Sequence, residues 1–264
     1  MVGEVFERDS VQTAFFQGGK NGFDDIDTKL PGVFDFKLWE TSLEVFTDKK
    51  PMRALRDVLK YDGLYGNVNN IITLQNNHDT KRFMSLEGAT LESAKLHAAF
   101  LLSTRGIPQL YYGEELAMRG GEDPDNRRDF SGGFPSDEKN AFTKEGRTPD
   151  EQNMFEWTQK WIKLRRDNFG IKKGNTTDLF YDDDVYIFER NFRFVDYADV
   201  SIIAINKGDK EREVTINFRI PDRIGLTKVD FKSLISDGEK VKIETDKLTF
   251  TLKPKSAVVY GLKP

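Results

Sequence analysis

The sequence predicts two kinds of fold in one chain: an α/β part with parallel strands, then an all-β part built as an antiparallel β-sandwich. Three observations carry that reading. Strand-like and helical stretches alternate over residues 1–172, the signature of parallel βαβ units. After that come short alternating runs, "DVYIFERNF", "VSIIAINKG", "REVTINFRI" and "KVKIETDKLTFTLKPKSAVVYGL", split by turn residues such as Lys207-Gly208-Asp209 and Asp237-Gly238. The stretch "FGIKKGNTT" (169–177) marks the change, which divides the chain into domains 1–172 and 173–264.

Taken in order, "VGEVF" (2–6) reads as a short buried strand, and the polar, glycine-rich "FQGGKNGFDDIDTK" follows it. "GVFDFKLWETSLEVF" begins strand-like and turns helical. "PMRALRDVLKYDG" (51–63) opens with Pro51, places Ala54, Leu55, Val58 and Leu59 at helical spacing, and stops at Gly63. "NIITLQNN" is a strand. "TLESAKLHAAFLLSTRG" (90–106) is a helix with Thr90 as N-cap and Gly106 past its end. "IPQLYYGEE" (107–115) is a strand again, and a polar loop runs from there to about residue 148. "PDEQNMFEWTQKWIKLRRDN" (149–168) is a long amphipathic helix with Phe155, Trp161, Ile162 and Leu164 among its apolar positions.

Composition narrows the function. The 264 residues are 38% hydrophobic and include 21 Phe, enough for a packed core. Net charge is −4 and no basic cluster stands out, which argues against nucleic acid as a partner. Without cysteine there is no disulfide or thiolate chemistry. Two histidines, His78 and His97, are too few for a histidine-built zinc site. "YDDDVY" (181–186) lacks EF-hand spacing and reads as a charged hairpin turn. Neither a metal nor a cofactor is expected. The longest apolar runs, "AAFLL" and "SIIAI", are too short for a bilayer span, so no membrane partner is expected. The start lacks a signal-peptide pattern and reads as the inside of a domain.

Polar residues collect just past the C-terminal ends of the expected parallel strands, where α/β barrels build their active sites. Glu4 comes late in the first strand. His78 and Asp79 follow the third. Glu114 and Glu115 follow the fourth, and "GGEDPDNRRDF" (120–130) lies in the loop after them. If the strands are neighbours, Glu4 and Asp79 face one cleft, and paired carboxylates in a cleft suit glycoside hydrolysis. Singly, each has a plainer reading: an exposed glutamate, a capped turn, a solvated loop of Asp–Arg pairs.

Together and in this order, "GEVFE" (3–7), "NNHDTKR" (76–82), "GIPQLYYGEE" (106–115) and "GGEDPDNRRDF" (120–130) resemble the α-amylase family of glycoside hydrolases, family 13. The branch is similar to neopullulanases, cyclomaltodextrinases and maltogenic amylases. The resemblance implies the second half of a (β/α)8 TIM barrel, strands five to eight, followed by a C-terminal β-sandwich. It implies retaining chemistry on α-1,4 or α-1,6 bonds of an α-glucan or maltooligosaccharide. Glu4 matches the general acid/base and Asp79 the aspartate that stabilises the transition state. His78 matches a residue that hydrogen-bonds the sugar. Arg82 matches the arginine of the family's "HDTPR" stretch, with Lys81 where proline is usual. Asp123 and Arg127 match the pair that grips glucose at the non-reducing side. Phe6 and Tyr112 either stack on sugars or belong to the core. Calcium in relatives lies in a domain inserted earlier in the barrel.

The family's nucleophilic aspartate, in a "GxRxD" context, has no counterpart here. The chain alone is therefore expected to show little or no hydrolase activity. The alternatives are a non-catalytic α-glucan-binding remnant, or a half-barrel whose open edges require an N-terminal partner polypeptide or self-association. Similar proteins are often periplasmic or secreted; the residues themselves assign no compartment.

Overall fold

The structure is a computed structural model that describes residues 1–19, 25–194, 197–218, 230–236, 240–244 and 246–263. The expected Asp237-Gly238 turn lies outside these residues. Among the described residues six α-helices form, of which the first and last have no counterpart in the sequence reading: α1 (Ser10–Phe16), α2 (Phe36–Phe46), α3 (Arg53–Leu59), α4 (Leu91–Ser103), α5 (Pro149–Asp167) and α6 (Phe169–Lys173). Asp9 and Asp35 cap α1 and α2 through their carboxylates. Thr90 and Thr148 each form a reciprocal capping box, with Ser93 and Glu151 respectively.

Four short segments run parallel in sequence order. Gly3 bridges to Val33, and Phe34 to Ile72. Strand β1 (Ile72–Leu74) pairs with β2 (Ile107–Gln109), Ile72 opposite Ile107. Gly106, at φ +91°, makes the approach to β2 possible, because a Cβ there would lie 2.5 Å from the carbonyl oxygen of Ile71.

Three expectations need correction. "VGEVF" is not a buried strand: it contributes a single bridge at Gly3, and Val2 and Phe6 are 45% and 55% exposed. Among the described residues it is paired on one side only, so that face has nothing to bury against. "IPQLYYGEE" is strand only over Ile107–Gln109; Gly113, at φ +84°, turns the chain into a 3-10 turn at Glu114–Leu116. Ile162 is exposed, because α5 buries the stripe Met154, Trp157, Thr158, Trp161, Leu164 and Arg165, to which position 162 does not belong.

The remaining strands are β3 (Asn175–Tyr181), β4 (Val185–Phe194), β5 (Tyr197–Asn206), β6 (Arg212–Asn217), β7 (Asp230–Ile235), β8 (Lys240–Ile243), β9 (Lys247–Leu252) and β10 (Ser256–Lys263). They form two antiparallel sheets, ordered β3-β4-β5-β10-β7 and β6-β9-β8. Asp182 tightens the β3–β4 hairpin by accepting the N–H groups of Asp184 and Val185.

The larger sheet is buried on both faces. Val185, Ile187, Val200, Ile202 and Val258 pack against Val214, Ile216, Leu248 and Phe250 of the smaller sheet. On the other face Tyr186, Phe188, Ile203, Ile205 and Val259 share one core with Phe46, Leu55, Phe100 and Trp161 of the helices. The rings of Phe100 and Phe188 meet edge to face, 6.4 Å apart. Two-sided burial explains why "VYIF" and "SIIAI" are continuous apolar runs.

Among the buried polar groups of the helical part, two stand out, Arg105 and His97. The Arg105 guanidinium lies 2.8 Å from Asp35 and 2.7 Å from Asp62, and the side chains of Arg105 and Asp35 are each 1% exposed. His97, on α4, is wholly enclosed between Phe46 and Phe83, with its Nε2 2.9 Å from Ser42 Oγ. No helix among the described residues is long and apolar enough to cross a membrane.

Candidate functional site

The site grows from the C-terminal end of β1. Beyond Leu74 the two asparagines end the strand and bend it. The Asn76 N–H donates to Glu114 Oε1 at 3.2 Å. Asn77 Oδ1 accepts the Asp79 N–H at 3.0 Å, and Thr80 Oγ1 accepts the Asn77 N–H at 3.1 Å. This Asx turn presents His78 and Asp79 side by side at its tip, both partly exposed, with His78 Nε2 3.3 Å from Asp79 Oδ1.

The loop after β2 folds back onto that tip. Arg127 Nη2 lies 3.1 Å from Asp79 Oδ1, and Arg127 Nε lies 3.0 Å from Asp123 Oδ1. The same Nε donates to the His78 carbonyl at 3.0 Å. One guanidinium thus joins Asp79 to Asp123 across 44 positions of sequence. Lys81, where the family's stretch has proline, pairs with Glu122 at 2.8 Å and adds a second link between the two motifs.

Arg82 is placed differently from the expectation of a substrate-binding group. It is 1% exposed, donates to the carbonyls of Asn126 (2.9 Å) and Tyr112 (2.6 Å), and lies over the rings of Tyr111 and Tyr112. Its Nε and Nη1 are committed to these backbone carbonyls, so it anchors the loop. Glu4 also differs from expectation. It is exposed beyond Gly3, and segment 33–34 lies between it and β1. The segments carrying Glu4 and Asp79 are therefore not adjacent but two strand spacings apart, about 10 Å. Glu4 takes no part in the Arg127 network. Phe6 packs on Phe36, with centroids 4.5 Å apart, while keeping an exposed face. Tyr112 donates its hydroxyl to the Arg128 carbonyl at 2.6 Å.

One participant, Asn126, escapes a reading of the sequence, and Glu114, which the sequence places past a strand end, has a different surrounding from the cleft expected of it. Asn126 is wholly buried and donates to the carbonyls of His78 (2.7 Å) and Thr80 (3.0 Å). Glu114 is buried beneath the turn, and burial pushes its carboxyl well above the usual range. The sequence singles out Glu114 and Glu115 together, and the turn buries only the first. Because the unfolded chain ionises near the ordinary value while the folded chain keeps the proton, stability contributed here is present at low pH and falls as pH rises. Glu114→Gln keeps an acceptor for Asn76 without an ionisable group. It is expected to melt at a higher temperature than the parent at pH 8, with the gap closing by pH 4. Among the described residues no group of His, Asp and Glu is arranged to hold a metal.

A family profile described as the α-amylase catalytic domain matches residues 1–176. The chain belongs to the α-amylase family of glycoside hydrolases. The cyclomaltodextrin glucanotransferase of Bacillus sp. (strain 1011) is 33% identical over 179 residues, 66% of this chain and 22% of that one. That of Geobacillus stearothermophilus is 30% identical over 229 residues, 75% of this chain and 29% of that one. A solved α-amylase of Geobacillus thermoleovorans, complexed with acarbose, superposes with a TM-score of 0.77 at 25% identity, over 100% of this chain and 53% of that one. An Anoxybacillus α-amylase gives 0.75 at 25%, over 100% and 52%. The chain thus spans about a quarter of these curated relatives and about half of the solved ones.

Proposed function

We propose that this chain is the glucan-gripping half of a retaining α-glucan hydrolase or transglycosylase. On this reading residues 1–172 are strands five to eight of a (β/α)8 barrel and residues 173–264 its C-terminal sandwich. The ladder supports it, since its four parallel segments follow sequence order as barrel strands do. The observation that carries the functional reading is Arg127, whose guanidinium joins Asp123 to Asp79 at the strand ends.

In this reading Asp123 and Arg127 hold a glucose unit by charge-assisted hydrogen bonds to its hydroxyls. His78 donates to or accepts from a hydroxyl of the ring being cleaved. Glu4 gives its proton to the departing glycosidic oxygen. Asp79, ionised, stabilises the positive charge that builds on the ring. The missing group is the nucleophile: a retaining mechanism needs a carboxylate to form the covalent glycosyl intermediate. That carboxylate comes from residues beyond this chain. The neopullulanase-like preference belongs to the same proposal.

The purified chain is expected to bind maltooligosaccharides and to release no reducing sugar from maltodextrin, cyclodextrin or pullulan. Asp123→Ala should weaken that binding about tenfold, the scale of a lost charge-assisted hydrogen bond. Robust turnover abolished by Glu4→Gln would show that a nucleophile is present after all. Absence of any maltooligosaccharide binding would remove the gripping role.

A second reading is favoured by the exposure of Val2, Phe6, Val11 and Phe16 around the Gly3 end of the ladder. Exposed apolar groups beside an open edge suit a half-barrel completed by an N-terminal polypeptide or a second copy. Turnover that appears only when a polypeptide carrying the other four strands is added would establish it.

A further inference from the structure

We infer that Asn126 is a positioning residue that couples the glucose-gripping loop to the His78–Asp79 turn. The inference deepens the reading above and rests on it for the sugar. Asn126 stands between Asp123 and Arg127 in sequence, and its side chain shares the His78 carbonyl with the Arg127 guanidinium. Its Nδ2 donates to His78 O at 2.7 Å and to Thr80 O at 3.0 Å, spanning the carbonyls on either side of Asp79. Its own backbone carbonyl accepts from Arg82 Nε at 2.9 Å. The side chain is wholly enclosed, and among the described residues its Oδ1 has no hydrogen-bond partner.

An asparagine retained in a buried place with one acceptor unsatisfied carries a desolvation cost that an apolar residue would avoid. Its two donors account for its presence. With the amide in place, Asp79 cannot move without carrying the loop that holds Asp123 and Arg127. Without it, the links left at residues 78–80 are those of Arg127, the ones a sugar must compete for, while the Lys81–Glu122 pair and the Arg82 contacts hold the loops together only beyond Thr80. Asn126 thus holds the aspartate in register while the guanidinium is shared with a ligand. It touches no substrate and acts through the two carbonyls.

The chain supplies its own reporter. It has two histidines, one at the tip of this turn and one enclosed on α4. In Asn126→Ala the ring-proton NMR signals of His78 should shift or broaden while those of His97 stay in place. Asn126→Ser, which retains a donor, should give a smaller displacement, and it decides the matter if the alanine variant fails to fold. His78 signals that coincide with the parent's in a folded variant overturn the inference.

With maltotetraose as probe, Asn126→Ala should weaken binding about tenfold. Asp79→Asn should then cost less in the Asn126→Ala background than in the parent, the mark of two residues acting as one unit. Equal losses in both backgrounds overturn the coupling. If the parent chain does not bind maltotetraose, the gripping role falls, while the histidine signals still decide the part played by Asn126.

Discussion

Arg105→Met is expected to remove about 3–5 kcal/mol of stability, the usual cost of breaking a buried ion pair from one side. For a chain of this size that lowers the melting temperature by about 10 °C. The reason is asymmetry between the two partners. Asp62 is partly exposed and can turn to water, but Asp35 is 1% exposed and would be left as an uncompensated charge. Asp35 also caps α2 through the Leu38 N–H, so the disturbance reaches the helix that supports the site from below. Thermal melts of the single variant and of Arg105→Met/Asp35→Asn separate the terms. The double variant should recover part of the loss, since it removes the stranded charge. A loss below about 1 kcal/mol in the single variant, the value of an exposed pair, would show that the triad is not buried in solution.

Acid is the second large lever, through His97. Enclosure between Phe46 and Phe83 favours the neutral ring and pushes its pKa down to about 3. The unfolded chain takes up a proton near pH 6.5. Below that point the unfolded state binds a proton that the folded state refuses. Stability from this residue is therefore complete above about pH 6.5 and is lost as pH falls towards 3, by about 1.4 kcal/mol per unit within the window. His97→Gln, which keeps a partner for Ser42, should flatten the dependence of melting temperature on pH between 4 and 6.5. An unchanged slope would mean that the ring is solvated. Glu114 acts in the opposite sense, so the two groups limit stability from the acid and the alkaline side.

Helices α4 and α5 were legible because their signals are local: a threonine cap and a closing glycine for the first, and an apolar stripe for the second. The ladder segments were legible in kind but not in length. Ile71 to Leu74 are all buried, so no alternation marks where pairing stops, and the stop depends on the neighbouring segment. Residues 2–6 have strand composition, yet exposure of Val2 and Phe6 follows from what lies beside them, which composition does not encode. The site was legible as an ordered set of motifs. That one guanidinium serves both Asp79 and Asp123 was not, because the contact joins two loops through space. Asn126 looks like an ordinary loop residue in "DPDNRRD" and Arg82 reads as a sugar-binding group in "HDTKR", and only burial reveals that they fasten the two loops together.

The rings of Phe100 and Phe188 carry a consequence for descent. A sheet whose inner face completes the wall of the helical layer cannot be traded between relatives as a self-contained module. Any lineage that changes bulk at position 100 must answer at 188, 203 or 259, so the middle and last thirds of the chain should drift in concert, with paired substitutions recording their shared history.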